Sequence, residues 1–133
     1  METLTSPKTE YLLRAGLEVL HEQSKEYLDE IAFIKEELVF FNKLLNKNAG
    51  QQFPSNQAAT LSKEMVAFDS NPLTILHNKI IEHERWLADM IKTDTLGRQE
   101  SYRDIHRGLT EEMDECRKKF QSLKKSIFSF AKS

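Results

Sequence analysis

The chain has 133 residues, of which 30% are charged and 39% hydrophobic, and its formal net charge is −2. This length fits one domain with a core of its own. The near balance of charge argues against the strongly basic surface typical of nucleic-acid-binding domains. With only 4 glycines and 3 prolines, the chain lacks the turn residues that a β-rich fold needs.

The cysteine content and the first residues indicate a compartment. Cys116 is the single cysteine, which excludes an intramolecular disulfide and a cysteine-based zinc site. Residues 1–7 are polar and lack the apolar region of a signal peptide, and no apolar run approaches the roughly 18 residues of a membrane span. We therefore expect a cytoplasmic protein.

The first predicted helix covers about residues 7–47. Ser6-Pro7 is typical of an N-cap followed by proline at the first helical position, and Gly50 of a helix end. Apolar residues recur at spacings of three and four, which is a heptad-like stripe interrupted by Ser24. The stripe comprises Leu13, Leu17, Leu20, Tyr27, Ile31, Ile34, Leu38, Phe41 and Leu45.

Residues 48–70 are predicted to form a loop or a short helix. Within this segment Leu61, Met65 and Phe68 share one helical face. A long loop without secondary structure is uncommon inside a compact domain, which favours the helix.

Two further helices are predicted in the second half of the chain. Asn71-Pro72 repeats the N-cap and proline signal and begins a helix at about 72–94, which breaks across residues 93–97. The last helix covers about 99–131 and contains Gly108. Its apolar stripe comprises Tyr102, His106, Leu109, Met113, Cys116, Phe120, Leu123, Ile127 and Phe130.

These elements predict an all-α fold, a single-domain antiparallel bundle (1–133) of three long amphipathic helices, with 57–68 as a candidate short fourth helix in the first connection. Short connections favour an up-down-up arrangement. Because the second helix is much shorter than the other two, another element is expected to cover part of their apolar faces.

The first helix is apolar on more than one side. Phe33, Val39, Phe40 and Leu44 lie off its main stripe, which indicates contacts on two sides. Either the 57–68 segment and the last helix cover these residues within one monomer, or a homodimer or another protein does. Trp86, beside the stripe of the second helix, is a core-edge residue or a binding anchor. The candidate partner-binding residues are Phe33, Phe40, Leu44 and Trp86.

Two histidines lie on apolar stripes. His83 and His106 come within a few turns of each other in an up-down-up bundle, so they are weak candidates for a metal or small-ligand site. A partly buried, hydrogen-bonded histidine is the commoner situation. The one Glu-x-x-His spacing, Glu18 to His21, flanks its stripe, which argues against a di-iron site. We expect no metal and no cofactor.

The last helix ends in a basic segment. Arg117, Lys118, Lys124 and Lys125 follow the final acidic residue, Glu115. The helix dipole explains cations at this end; binding to an anionic surface is the alternative. Peripheral membrane contact is not favoured, and no element for reading nucleic acid is recognisable.

Nothing in the sequence indicates catalysis. A phosphate-binding loop and a nucleophile elbow are both lacking, and Cys116 fits a buried thiol. We expect a non-enzymatic protein that mediates protein-protein interaction or self-association through an apolar helical face. The alternatives are a metal- or ligand-binding bundle that uses His83 and His106, and a peripheral binder of anionic surfaces.

Overall fold

The computed structural model describes residues 7–49, 56–93 and 101–132, with the side chains of 15–47, 56–93 and 101–132. Over these residues the chain is helical throughout, which confirms the predicted all-α bundle. The predicted N-cap at Ser6, the helix end at Gly50 and, apart from Thr93, the predicted break across 93–97 lie outside the described residues.

The described residues form four helices in chain order: α1 (Pro7–Ala49), α2 (Asn56–Phe68), α3 (Ile75–Thr93) and α4 (Ser101–Lys132). At about 1.5 Å per residue α1 is roughly 65 Å long. The segment 57–68, which the sequence predicts as a loop or a short helix, lies in the helix α2. This helix continues through a short kink into α3 and is not surrounded by a loop on both sides.

The junction of α2 and α3 is a kink, Asp69–Thr74. Asn71 leaves the helical conformation, with φ −155° and ψ 117°, and the Asn71-Pro72 peptide bond is cis. A residue before proline disfavours the α region, and proline cannot donate the backbone hydrogen bond of a continuing helix. The predicted helix start at Pro72 is therefore a bend between two helical segments, and α3 begins at Ile75.

Side-chain pairs define the direction of each helix. Asn42, Lys35 and His21 of α1 bond to Ser62, Asp69 and Glu84 in turn, so the bent α2–α3 segment runs antiparallel to α1. Gln23, Glu30 and Glu37 of α1 bond to His106, Arg117 and Lys124, so α4 runs parallel to α1. The topology is up-down-up, and α2 supplies the length that α3 lacks.

The core is divided into two apolar clusters. The larger one fills the half of the bundle where α2 packs, and comprises Ile31, Ile34, Leu38, Phe41, Leu45, Leu61, Met65, Phe68, Leu73, Leu76, Ile80, Leu109, Met113, Cys116, Phe120, Leu123 and Ile127. The smaller one, at the other end, contains Leu17, Leu87, Met90 and Tyr102.

Three buried polar residues lie between these clusters. Ser24, His83 and His106 are all at most 5% exposed. Each occupies a stripe position between a residue of the small cluster and a residue of the large cluster on its own helix. We call this set, together with Gln23, the polar layer.

Candidate functional site

The polar layer is a chain of hydrogen bonds across three helices. His83 Nε2 lies 3.1 Å from His106 Nδ1, and His106 Nε2 lies 2.9 Å from Gln23 Oε1. Because the Gln23 oxygen accepts, His106 donates from Nε2 and accepts at Nδ1 from His83. The remaining nitrogen, His83 Nδ1, is buried without a hydrogen-bond partner among the described residues. Ser24 satisfies its hydroxyl locally, by donating to the Leu20 carbonyl at 2.9 Å.

Both histidines are held neutral at pH 7. Burial, and to a lesser degree the neighbouring His106, lowers the pKa of His83 from 6.5 to about 4. Burial also lowers the pKa of His106. Of two neutral imidazoles, one can donate its N–H to the unprotonated nitrogen of the other. Two imidazolium ions cannot, because both of their nitrogens are protonated. The pair therefore acts as a structural hydrogen bond at neutral pH.

Further polar pairs surround this layer. Tyr27 stacks on the His106 ring with centroids 6.0 Å apart, and its hydroxyl lies 2.9 Å from Thr110 Oγ1. His21 Nε2 lies 2.5 Å from a Glu84 carboxylate oxygen. The up-down-up topology predicts that His83 and His106 approach each other. The sequence does not predict the parts played by Gln23, Thr110 and Glu84, because a polar residue beside an apolar stripe is ordinary.

A cavity of about 550 Å³ lies between α3 and α4, next to the polar layer. Its apolar lining is formed by Trp86, Ile105 and Leu109 with Gly108, and its charged lining by Lys79, Glu82 and Glu112. His83 also lines the cavity. Lys79 and Glu112 form an ion pair of 3.2 Å between the two helices. The Trp86 ring meets the His83 ring edge-on at 6.1 Å.

The metal hypothesis for His83 and His106 remains a prediction. The two rings are bonded to each other through nitrogens that a metal would need as ligands. Over the described residues no group of three or more His, Cys, Asp or Glu side chains is placed to hold a metal ion.

A second candidate site is the side of α1 that faces away from the other helices. We call it the outer face of α1: the exposed residues between Glu22 and Lys47. Phe33 and Phe40 are each 60% exposed and lie seven residues apart on this face, with Val39 57% exposed beside them.

The broad apolar surface of α1 is covered in part by the other described helices. α2 and α4 cover the stripe residues Leu38, Phe41 and Leu45, whereas Phe33 and Phe40 are exposed among the described residues. Their cover by a partner stays a prediction. The other two candidate contacts are half-buried: Leu44 packs on the large cluster and Trp86 on the small one.

The candidate basic residues of α4 include both paired and exposed side chains. Arg117 donates two hydrogen bonds of 2.7 Å to Glu30, which are the main cause of its raised pKa. Lys124 pairs with Glu37 at 3.4 Å. Lys118 and Lys125 are exposed. Two of the four candidate cations are therefore matched by acidic side chains of α1.

Comparison with models of protein families, with curated proteins and with solved structures found no match for this chain. None of the described helices contains an apolar stretch long enough to cross a lipid bilayer.

Cys116 is buried in the large cluster, and burial raises the pKa of its thiol. The fold and its two candidate sites define a helical bundle with a polar layer in its core and an exposed aromatic helix face.

Proposed function

We propose that this protein is a non-enzymatic binding protein that engages another polypeptide through the outer face of α1. The observation that carries the proposal is the exposure of Phe33 and Phe40, each 60%, on one side of a long, well-packed helix. Aromatic side chains are enriched in protein interfaces and dominate their binding energy. A scattered exposed apolar residue needs no explanation, but two phenylalanines and a valine within two turns form a patch.

The apolar surface extends around this end of the bundle. Val66 of α2 is exposed across a groove of about 160 Å³ from Val39. Phe128 of α4 is also exposed and packs edge-on against Phe41 at 5.4 Å. A partner seated on α1 therefore has further apolar contacts on both flanks.

The paired histidines His83 and His106 are buried and bonded to each other, which suits a structural role better than proton transfer. We place the protein in the cytosol because its single cysteine, Cys116, is buried and a reducing compartment leaves such a thiol intact.

The test is site-specific photo-crosslinking in cells that express the protein. A photoreactive phenylalanine analogue is placed at Phe33, at Phe40 or at the control position Val19, which is 54% exposed on the same helix. We expect a defined protein adduct from positions 33 and 40 and a much weaker one from position 19. The absence of adducts at 33 and 40, with the variants folded by circular dichroism, contradicts the proposed function.

A second candidate function is the binding of a small, largely apolar molecule in the cavity between α3 and α4. Its support is the apolar lining by Trp86 and Ile105 beside His83 Nδ1, a buried acceptor that has no hydrogen-bond partner in the described part of the chain. A pocket with apolar walls and few polar groups is typical of ligand sites.

Titration with indole-sized fragments, followed by NMR of the His83 ring and the Trp86 indole, tests this second function. The control is Gly108→Leu, because a Cβ at Gly108 meets no atom within 4 Å and the larger side chain fills the cavity. Equal fragment shifts in wild type and Gly108→Leu would rule the cavity out.

A further inference from the structure

We infer that the partner of the outer face of α1 is the same face of a second copy of this chain, with the two α1 helices antiparallel and Phe33 of each against Phe40 of the other. This inference rests on the proposed function, since it names the partner of that surface.

Charge is distributed unevenly along the outer face. On the N-terminal side of Phe33 the exposed residues include Glu22, Glu26 and Asp29, together with Lys25, which lies 4.0 Å from Glu22. On the C-terminal side of Phe40 they include Lys43 and Lys47. The face is therefore acidic before the phenylalanine pair and basic after it.

This distribution complements itself in one direction only. Glu26 lies seven residues before Phe33, and Lys47 lies seven residues after Phe40. Antiparallel pairing about the midpoint of the two phenylalanines sets Glu26 opposite Lys47 of the second copy and Asp29 next to its Lys43. Parallel pairing sets acidic opposite acidic and basic opposite basic, which is unfavourable. A two-fold axis then closes the assembly as a dimer.

The packing of the monomer leaves room for this contact. α2 lies on one flank of α1, where Ser62 bonds Asn42. α4 lies on the other flank, where Lys124 pairs with Glu37. The outer face lies between these flanks, so a second α1 can approach along its length without displacing either helix.

Glu36 weakens the antiparallel pairing of the two α1 helices and offers a test of its geometry. Glu36 is exposed between Phe33 and Phe40, so the two copies of Glu36 meet near the two-fold axis. Like charges at that position weaken the dimer. The variant Glu36→Gln should therefore tighten self-association, by about threefold to tenfold in the dissociation constant.

The first experiment measures mass by light scattering and sedimentation over a range of concentrations, using the full chain. We expect a concentration-dependent dimer that Phe40→Glu abolishes and that the control Val19→Glu preserves. Each variant is checked for folding by its thermal transition. A monomer at every concentration overturns the homodimer.

Charge reversal tests the direction of the helices. Because each reversal alters two symmetric pairs, Lys47→Glu or Glu26→Lys alone should raise the dissociation constant about tenfold. The double variant, which restores opposite charges across the interface, should recover most of the loss. Additive weakening in the double variant overturns the antiparallel pairing.

Disulfide trapping gives an independent geometric readout. Glu26→Cys and Lys47→Cys are made separately in a Cys116→Ala background, mixed and oxidised. The antiparallel dimer predicts a mixed disulfide between positions 26 and 47. A dominant disulfide between two copies of position 26 indicates parallel helices and overturns the inference.

The two proposals fail in different ways. One result is a monomer in solution that still gives photo-adducts at positions 33 and 40 with a mass other than twice that of the chain. That result contradicts the homodimer and supports binding of another protein by the same face. A monomer without adducts removes both.

Discussion

The neutral histidine pair makes the stability of the fold sensitive to mild acid. His83 has a native pKa of about 4, against 6.5 for an ordinary, solvent-exposed histidine. Between these values the unfolded chain binds a proton at His83 that the native chain does not. Stability must therefore fall as the pH is lowered through about 6.5, and this contribution stops growing below about pH 4, where native His83 also becomes protonated.

The size of this effect follows from the shift. At about 1.4 kcal/mol per pKa unit, a change from 6.5 to about 4 corresponds to a loss of about 3 kcal/mol for His83. His106, whose pKa is also lowered by burial, adds a loss of the same sign. Against a typical unfolding free energy of roughly 5–15 kcal/mol, this is a large fraction.

Urea unfolding at intervals from pH 7.5 to pH 4 measures the effect. The matched variant is His83→Leu with His106→Phe, which removes both titrating groups and keeps an aromatic ring against Tyr27; replacing both members of a hydrogen-bonded pair is far less disruptive than removing one. The control is His77→Gln, outside the polar layer. The reasoning is refuted if the unfolding free energy of the wild type stays constant from pH 7 to pH 5. It is also refuted if the unfolding free energy of the double variant falls with acid as much as that of the wild type.

Four further predictions concern stability and reactivity. Gly108→Ala should raise the unfolding free energy by about 1 kcal/mol, because alanine favours the helix and its Cβ meets open space; a loss in urea unfolding contradicts this. Ile31→Ala, at a side chain that is 0% exposed, should cost about 2–5 kcal/mol, and a cost below about 1 kcal/mol would show that the large cluster is loosely packed. Arg117→Met should cost about 1 kcal/mol or less by removing the half-exposed pair with Glu30, and the difference from wild type should shrink in high salt. Cys116, buried and with a raised thiol pKa, should react with a thiol reagent only as the protein unfolds; rapid labelling of native protein at pH 7 would contradict its placement.

The apolar spacing predicts most of the fold because it reports directly which face of a helix is buried. The stripe positions of α1 from Leu17 to Leu45 lie in the core, apart from the half-buried Leu20 and Tyr27, and the three stripes together define the bundle. The spacing does not report how a connection is made. Asn71-Pro72 has the same local signal as a helix start, and it is a bend because the segment before it, α2, is also helical.

The candidate site is harder to predict because its parts are distant in the sequence. His83 and His106 were recognisable as polar residues on apolar stripes, and the topology brings them together. Gln23 lies beside a stripe, where a polar residue is ordinary, so its bond to His106 has no local signature. Likewise, the pattern shows that Phe33 and Phe40 lie off the stripe, but their exposure depends on where α2 and α4 pack.

The polar layer has a consequence for the register of the three helices. Apolar stripes with spacings of three and four pack nearly as well after a slip of seven residues, since one leucine replaces another. The bonds from Gln23 to His106 and from His106 to His83 form in one alignment only, and a slip of any one helix by a heptad would break at least one of them and leave a buried polar atom without that partner. The layer therefore selects a single alignment among several that the apolar side chains alone would allow.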